Sequence, residues 1–420
     1  MLTVLRTSWP LLLGVLLFMV GNGMQGTLLG VRGAIEGIGT YQMSVVMSGY
    51  FAGFLFGSQM TPVMIRRVGH VRVFAALGSM ISAVLILYAA MPHWLVWAAL
   101  RVVIGFSFSG VYITAESWLN TSSTNETRGQ ALSAYMIVQM IGIVAGQVLM
   151  NTADPAGWML FVIPSVLVSL AFTPILLSVA PAPTFAEVQR LNFRKLFAAS
   201  PLGVVGMFVM GGVFSAVFGM ASVWGTRAGL SVPQISIFIA SIYIGGLIAQ
   251  YPIGWISDRM DRRRLIFFVS AVGSVAMLAA FLLAPGFWLL TLLGAVIGGV
   301  ANPLYSLLVA YTNDYLDKSD MAAASGGLLF VNGIGAMMGP PVTGWLMEAV
   351  GTGGFFLFLS LLTAFLAAYA LWRMTRRPGM APEDTGAFTV ISPAATALAV
   401  GEALEAAQDE SGSQPPAQAR

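Results

Sequence analysis

Few side chains in this chain could do chemistry, and most of them lie inside long apolar runs. Asn22 and Gln25 stand three residues apart among Gly21, Gly23 and Gly26, and so share one face of a helix. Arg101, Tyr112 and Glu116 fall within about 60° of one face of a second run, at 100° per residue. Further along, Asn302, Tyr305 and Asn332 occupy the positions that Ser109, Tyr112 and Gln139 hold in the first half. Amides, hydroxyls and one guanidinium can bind a solute, but they form no nucleophile–base pair. No phosphate-binding loop is present, so no ATP-driven chemistry is expected. With two histidines, His70 and His93, and no cysteine, neither a metal cluster nor a disulfide is expected. The chain is expected to be no enzyme and to need no cofactor.

These residues must be positioned by elements that cross a bilayer. The chain is 57% hydrophobic and 9% charged, far from the roughly 25% charged content of soluble domains. Spans of about 20 apolar residues are predicted at 9–30, 41–65, 73–91, 95–118, 129–150, 158–180, 201–224, 234–256, 265–284, 287–310, 322–347 and 353–374. The first run is too long for a signal-peptide core and no small-residue cleavage site follows it, so it is read as a retained span.

Twelve spans place both termini on one side. With that side cytoplasmic, 17 of the 20 bases face inward, leaving Arg32 and Arg227 outside and Arg101 within a span, which satisfies the positive-inside rule. The tail 378–420 holds six acids (Glu383, Asp384, Glu402, Glu405, Asp409, Glu410) and one base, Arg420, leaving 19 bases against 11 acids in the body. Topology accounts for those bases, and no nucleic-acid partner is expected. Composition predicts a disordered tail, with a short helix from Ser392 as an option.

The longest connection, 181–200, divides the body into 1–180 and 201–377, six spans each. Shifted by 192, PVMIRRVGHVR (62–72) falls on GWISDRMDRRR (254–264), Gln42 on Gln234, Ser44 on Ser236 and Gly53 on Gly245. Shifted by 193, IGFSFSGVY (104–112) falls on IGGVANPLY (297–305) and VQMIG (138–142) on VNGIG (331–335). A near-constant offset across four spans indicates an internal duplication, parallel because each half has an even number of spans.

At these residues the chain resembles the major facilitator superfamily. Gly254, Asp258, Arg259, Arg262 and Arg263 match the family's loop signature between the second and third spans of a half, with Asp261 replacing its second glycine. The first-half copy keeps Arg67 and Gly69 but has Pro62 and Arg66 where the family has Gly and Asp. RVVIG (101–105) matches a span-4 signature, and TRG (127–129) is similar to the family's span-5 opening. SGYFAGFLFG, AESWLN and RGQALSAYM are most similar to the bacterial YcaD-like group.

The resemblance implies an all-α membrane protein of two six-helix bundles in a bacterial inner membrane, moving a small metabolite or sugar-like solute by alternating access. A proton-coupled multidrug antiporter is the alternative, although IGIVAG (141–146) lacks the drug antiporters' Gly-Pro. A non-transporting receptor or lipid-flipping protein on the same fold is a third reading. Expected partners are the solute, the lipid bilayer and, if transport is coupled, H+ or Na+, with the protein a monomer. No carboxylate stands mid-span, so uniport stays open.

Spans 3, 6, 9 and 12 have no charged or amide residue in their cores, which marks them as outer scaffold. A cavity lined mainly by spans 1, 4, 7 and 10 is therefore expected to hold Asn22, Gln25, Arg101, Ser109, Tyr112, Gln139, Asn302, Tyr305 and Asn332. Asn22 and Gln25 also suit interhelical hydrogen bonding. Arg101 suits an anionic substrate, the biasing of a nearby carboxylate, or a structural bond to carbonyls. Glu116 is expected to pair with Arg67 or Arg72 rather than to carry protons. Asn302-Pro303 is expected to break its helix, and the run GIGAMMGPPVTG (333–344) to kink. In the family, the loop aspartate of one half docks at the start of the fifth span of the other, where helix amides favour a carboxylate. Here that gives Asp258 against Arg128 and, with signs exchanged, Arg66 against Asp320 or Asp317, as a cytoplasmic latch.

Overall fold

A computed structural model describes residues 2–121, 123, 125–176 and 193–376, and the tail positions 379, 380, 385, 386, 388, 391 and 400. Positions 177–192 of the connection and the remainder of the tail, including the optional helix from Ser392, lie outside the described residues, as does the Arg128 side chain. The described chain is helical and contains no strand.

Twelve long helices follow the twelve predicted spans in order. We label them α1 (Leu2–Ile35), α2 (Thr40–Val68), α3 (His70–Ala90), α4 (Trp94–Thr121), α5 (Asn125–Leu149) and α6 (Met159–Ala171, continued by Thr173–Leu176). In the second half, α7 runs Pro201–Ser215, turns through a π-helical Ala216–Met220 and resumes over Ala221–Arg227. It is followed by α8 (Val232–Ser257), α9 (Arg262–Leu283), α10 (Phe287–Asn313), α11 (Lys318–Val350) and α12 (Gly354–Met374). Ten of the twelve are long and apolar enough to cross a membrane. The other two, α2 and α11, are longer than a bilayer requires but carry more glycine and polar residues, and they pack on each other.

Every packing pair of the first half recurs in the second. The pairs α1–α5, α1–α6, α2–α4, α3–α4 and α3–α6 reappear as α7–α11, α7–α12, α8–α10, α9–α10 and α9–α12. The causes are matched residues. A Cβ at Gly53 would strike the Val102 carbonyl, and one at Gly245 the Ala295 carbonyl; Gly105 and Gly298 likewise meet the carbonyls of Tyr50 and Ile242. Only glycine lets these backbones approach so closely. Ser82 bonds Ser165 at 2.9 Å between α3 and α6, and Ser274 bonds Ser360 at 3.2 Å between α9 and α12. The paired glutamines cap equivalent helices: Gln42 Oε1 accepts from the Gly39 amide (3.0 Å), and Gln234 Oε1 from the Ser231 amide (2.9 Å).

Pro303 in α10 and Pro340 and Pro341 in α11 all lie inside uninterrupted helix, contrary to the break expected at Asn302-Pro303. The irregular turn lies instead in α7, within AVFGM, where the sequence has no proline.

The two halves meet along α2–α11, with smaller contacts between α1 and the end of α7 and between α5 and α8. Ser222 donates to the Gly26 carbonyl (3.2 Å), Arg227 to the Ile38 carbonyl (2.6 Å) and Ser48 to the Met337 carbonyl (2.6 Å). The Tyr41 amide donates to Glu348 (2.9 Å). These contacts cluster away from the loops 66–72 and 257–264, so the seam is drawn together at the arginine-poor end.

Candidate functional site

Two helices place the polar cluster. Asn22 and Gln25 project from α1, where Gly23 and Gly26 keep the backbone close to its neighbours, and Gln25 Nε2 donates to Asn22 Oδ1 at 3.0 Å. From α4, Arg101 Nη1 donates to Gln25 Oε1 at 2.8 Å, and the Tyr112 hydroxyl accepts from Asn22 Nδ2 at 2.9 Å. The result is one continuous chain, Arg101–Gln25–Asn22–Tyr112. Gln25, Arg101 and Tyr112 are buried and Asn22 is partly exposed.

Arg101 decides the character of this cluster. It is 3% exposed, and the groups around it are an amide, the Met47 sulfur (3.3 Å), the face of Tyr50 (5.0 Å to the ring centre) and the nearby Tyr88 hydroxyl. None of these is a carboxylate, and Nε has no partner. A buried cation without a counter-ion is costly and is retained where it has something to bind. Tyr50, Phe54 and Phe108 pack around Tyr112 and the guanidinium. Across the seam, Tyr243 of α8 approaches Tyr50 and Tyr112, and Phe218 from the π turn of α7 packs against Tyr243 in a tilted arrangement with ring centres 4.9 Å apart. The π turn that carries this aromatic adds a residue to the helix here, a device often found at functional sites.

The other expected cavity residues take separate places. Ser109 packs against Gly57 in the α2–α4 contact. Gln139 stands beside Tyr135, whose hydroxyl donates to Glu116 at 3.2 Å. Glu116 is fully buried there. Asn302 lies between α8 and α10 against Gly246, and its amide reaches back to the Gly298 carbonyl (3.4 Å). Tyr305 is buried one turn further on. Asn332 donates to the Met207 carbonyl (3.1 Å) and thereby joins α11 to α7. Met47, Tyr50, Phe218 and Tyr243 were not expected at the site, because as apolar or aromatic residues they are indistinguishable in sequence from lipid-facing ones.

At the arginine-rich end, Arg262 is almost wholly buried, bonding Ser257 (3.1 Å) and Asp314 (2.5 Å), and lies 3.6 Å from Asp258. Arg259 lies over the Trp255 ring at 4.1 Å and donates to the Trp255 carbonyl. Arg66 and Arg67 are exposed at the end of α2. Asp320 pairs with Lys195 at 2.6 Å, and this contact holds the lysine's pKa above its usual value.

Residues 11–247 and 204–404 match the Major Facilitator Superfamily. The chain belongs to that superfamily. It is 28% identical to the uncharacterized MFS-type transporter YcaD of Escherichia fergusonii, over 88% of this chain and 96% of that one. The YcaD of Escherichia coli O45:K1 is likewise 28% identical, covering 91% and 99%. Among solved structures, the nucleoside transporter NupG (D323A mutant) matches with a TM-score of 0.74 at 14% identity, covering 87% of this chain and 99% of that one. A bacterial homolog of the human lysosomal transporter Spinster, inward-facing and occupied, matches with a TM-score of 0.70 at 15% identity, covering 91% and 98%. At such identities the two solved structures establish the fold of this major facilitator and nothing of its solute. It is a multi-pass membrane protein of a transporter family.

Proposed function

We propose that this major facilitator is a secondary transporter carrying a small polar solute, a metabolite or sugar-like molecule, by alternating access of its two halves. The observation that carries the reading is buried Arg101, which has an unpartnered Nε and stands at the head of the Gln25–Asn22–Tyr112 chain. Amides and a phenol in a dry site discriminate strongly for a solute that can replace their hydrogen bonds. The guanidinium favours a solute with an acceptor or negative charge at one end. Tyr50, Phe54, Phe218 and Tyr243 supply flat apolar walls for its body. The remaining candidates, Asn302, Tyr305 and Asn332, serve the second half as packing groups around this site.

The arginine-rich end is cytoplasmic in this account, with both termini inside the bacterial inner membrane. The conformation, drawn together at the opposite end, is inward-facing. The latch of Asp258 with Arg128 and Arg66 with Asp320 belongs to the alternate, outward-facing state. Proton-coupled drug efflux is a second reading, favoured by Met19, Met47 and the aromatic walls around Tyr112.

Purified protein screened by ligand-induced thermal shift, then assayed for flux in liposomes with and without a pH gradient, separates these readings. Nucleosides, for which one fold neighbour is named, belong in the panel. A polar solute that stabilises and is transported supports the proposal. Transport of lipophilic cations alone supports the second reading, and failure of every solute to move favours a receptor.

A further inference from the structure

The acidic tail returns to the bundle at the arginine-rich end and against α8 and α10. The Phe388 amide donates to Asp258 Oδ1 at 2.8 Å, and the Phe388 ring covers Gly254 of α8, where any side chain would strike it. The Gly386 amide donates to Asp314 at 3.2 Å, and the Gly386 carbonyl accepts from Arg262. At Ile391, one side chain of α10 recognises both backbone groups: Ser306 Oγ accepts from the Ile391 amide and donates to its carbonyl, each at 3.1 Å. Ser306 is steadied in turn by Gln250 of α8 at 2.9 Å. Ile391 is 3% exposed, which is interior burial for a residue outside the spans.

Three features make this a specific seat. Its recognition is by backbone hydrogen bonds plus apolar pockets for Phe388 and Ile391, the way extended peptides are generally bound. The tail is acidic and the end it meets is arginine-rich, so the charges are complementary. The tether from Arg376 to Gly386 is ten residues, which reach at most about 36 Å. Such a short tether keeps the segment at a local concentration on the order of millimolar, so weak contacts suffice for occupancy.

The seat also uses the latch. Asp258 is the carboxylate expected to meet the amides at the start of α5 when the arginine-rich end closes, and in this structure it accepts from the Phe388 amide instead. We propose that the tail carries an autoinhibitory plug anchored by Gly386, Phe388 and Ile391: docked against α8 and α10, these three residues hold Asp258 and keep the arginine-rich end from closing, and their release allows the transport cycle. The proposal rests on the transporter reading, but docking and closure can be measured without a known solute.

The chain has no cysteine, so single labels are clean. In the full-length protein, an Ile391→Cys variant should react with a maleimide-polyethylene glycol at least tenfold more slowly than an Arg420→Cys variant. Adding Gly254→Leu, which removes the Phe388 seat, or Ser306→Val, which removes both bonds to Ile391, should bring the rate within about twofold of Arg420→Cys. Equal rates for Ile391→Cys and Arg420→Cys in the otherwise unchanged protein would overturn the docking. For closure, spin labels on Arg67→Cys and Asp317→Cys should show a shorter-distance population that grows when the chain is ended after Arg376 or when Ile391→Asp is introduced. An unchanged distance distribution in both would overturn the inhibitory role. If docking and closure behave as expected while no solute moves, the transporter reading fails and the plug stands.

Discussion

Replacing Arg262 with Gln strands Asp314 inside the protein. The two side chains are 2% and 4% exposed and meet at 2.5 Å, so neither is screened by water as a surface pair would be. Breaking a buried pair by removing one partner typically costs about 3–5 kcal/mol, because the remaining charge is left buried without compensation. Here the Gly386 amide, 3.2 Å from Asp314, offsets only part of that, which places Arg262→Gln near about 3 kcal/mol. Removing both charges with apolar groups of similar size, Arg262→Met with Asp314→Leu, should return stability to within about 1 kcal/mol of the parent. The assay is equilibrium unfolding in mixed micelles titrated with sodium dodecyl sulfate, read as a double-mutant cycle. A loss under about 1 kcal/mol for Arg262→Gln would refute the claim that this pair is buried and essential to the loop. So would a double variant as unstable as the two single losses added together.

Gly53→Ala and Gly245→Ala should each destabilise the protein by about 1–3 kcal/mol, and by similar amounts, because each places a methyl on a facing carbonyl at an equivalent contact; the same unfolding titration checks it. Asn332→Ala should cost about 0.5–1.5 kcal/mol of stability by removing its interhelical bond to the Met207 carbonyl while leaving solute affinity intact; Asn22→Ala should do the reverse in a ligand thermal-shift assay. Burial pushes the Asp261 carboxyl up, but the bonds from the Arg263 side chain and amide outweigh it and hold its pKa below the ordinary value of 3.8. Its contribution is therefore full above the unfolded-state pKa and is lost as pH falls through the lowered folded one. Asp261→Asn should accordingly flatten the loss of stability below about pH 4, followed by unfolding at several pH values.

Much of the fold was legible because duplication writes itself twice. The offset that aligns Gln42 with Gln234 and Gly53 with Gly245 aligns equivalent caps and equivalent glycine contacts in space. Asn22, Gln25, Arg101 and Tyr112 were legible as groups that must find polar partners, because an amide or a guanidinium deep in an apolar helix needs one, and here the partners are one another. Asn302 and Asn332 satisfy the same need against backbone carbonyls, Asn302 within its own helix and Asn332 on the neighbouring α7. A helical face indicates direction but not which neighbour stands there. Asp314 escaped notice because its partner Arg262 is distant in sequence and the equivalent first-half position is Thr121, which leaves no repeated signal. Nor did the tail's composition mark Phe388 or Ile391, since backbone hydrogen bonds leave no trace in residue type. The π turn in α7 was equally silent, as no proline or polar insertion announces it.

Flux through Arg101 tests the central claim most directly. Once a stabilising solute is found, its uptake into liposomes by the parent and by Arg101→Met should be compared at matched amounts of folded protein. A lost charge-assisted hydrogen bond weakens binding by about 1.5–3 kcal/mol, or roughly ten- to a hundredfold. The account predicts a half-saturation raised by that factor, with thermal stability preserved or increased because an uncompensated buried charge has been removed. An unchanged half-saturation in Arg101→Met, or a variant that loses transport only because it no longer folds, would contradict it.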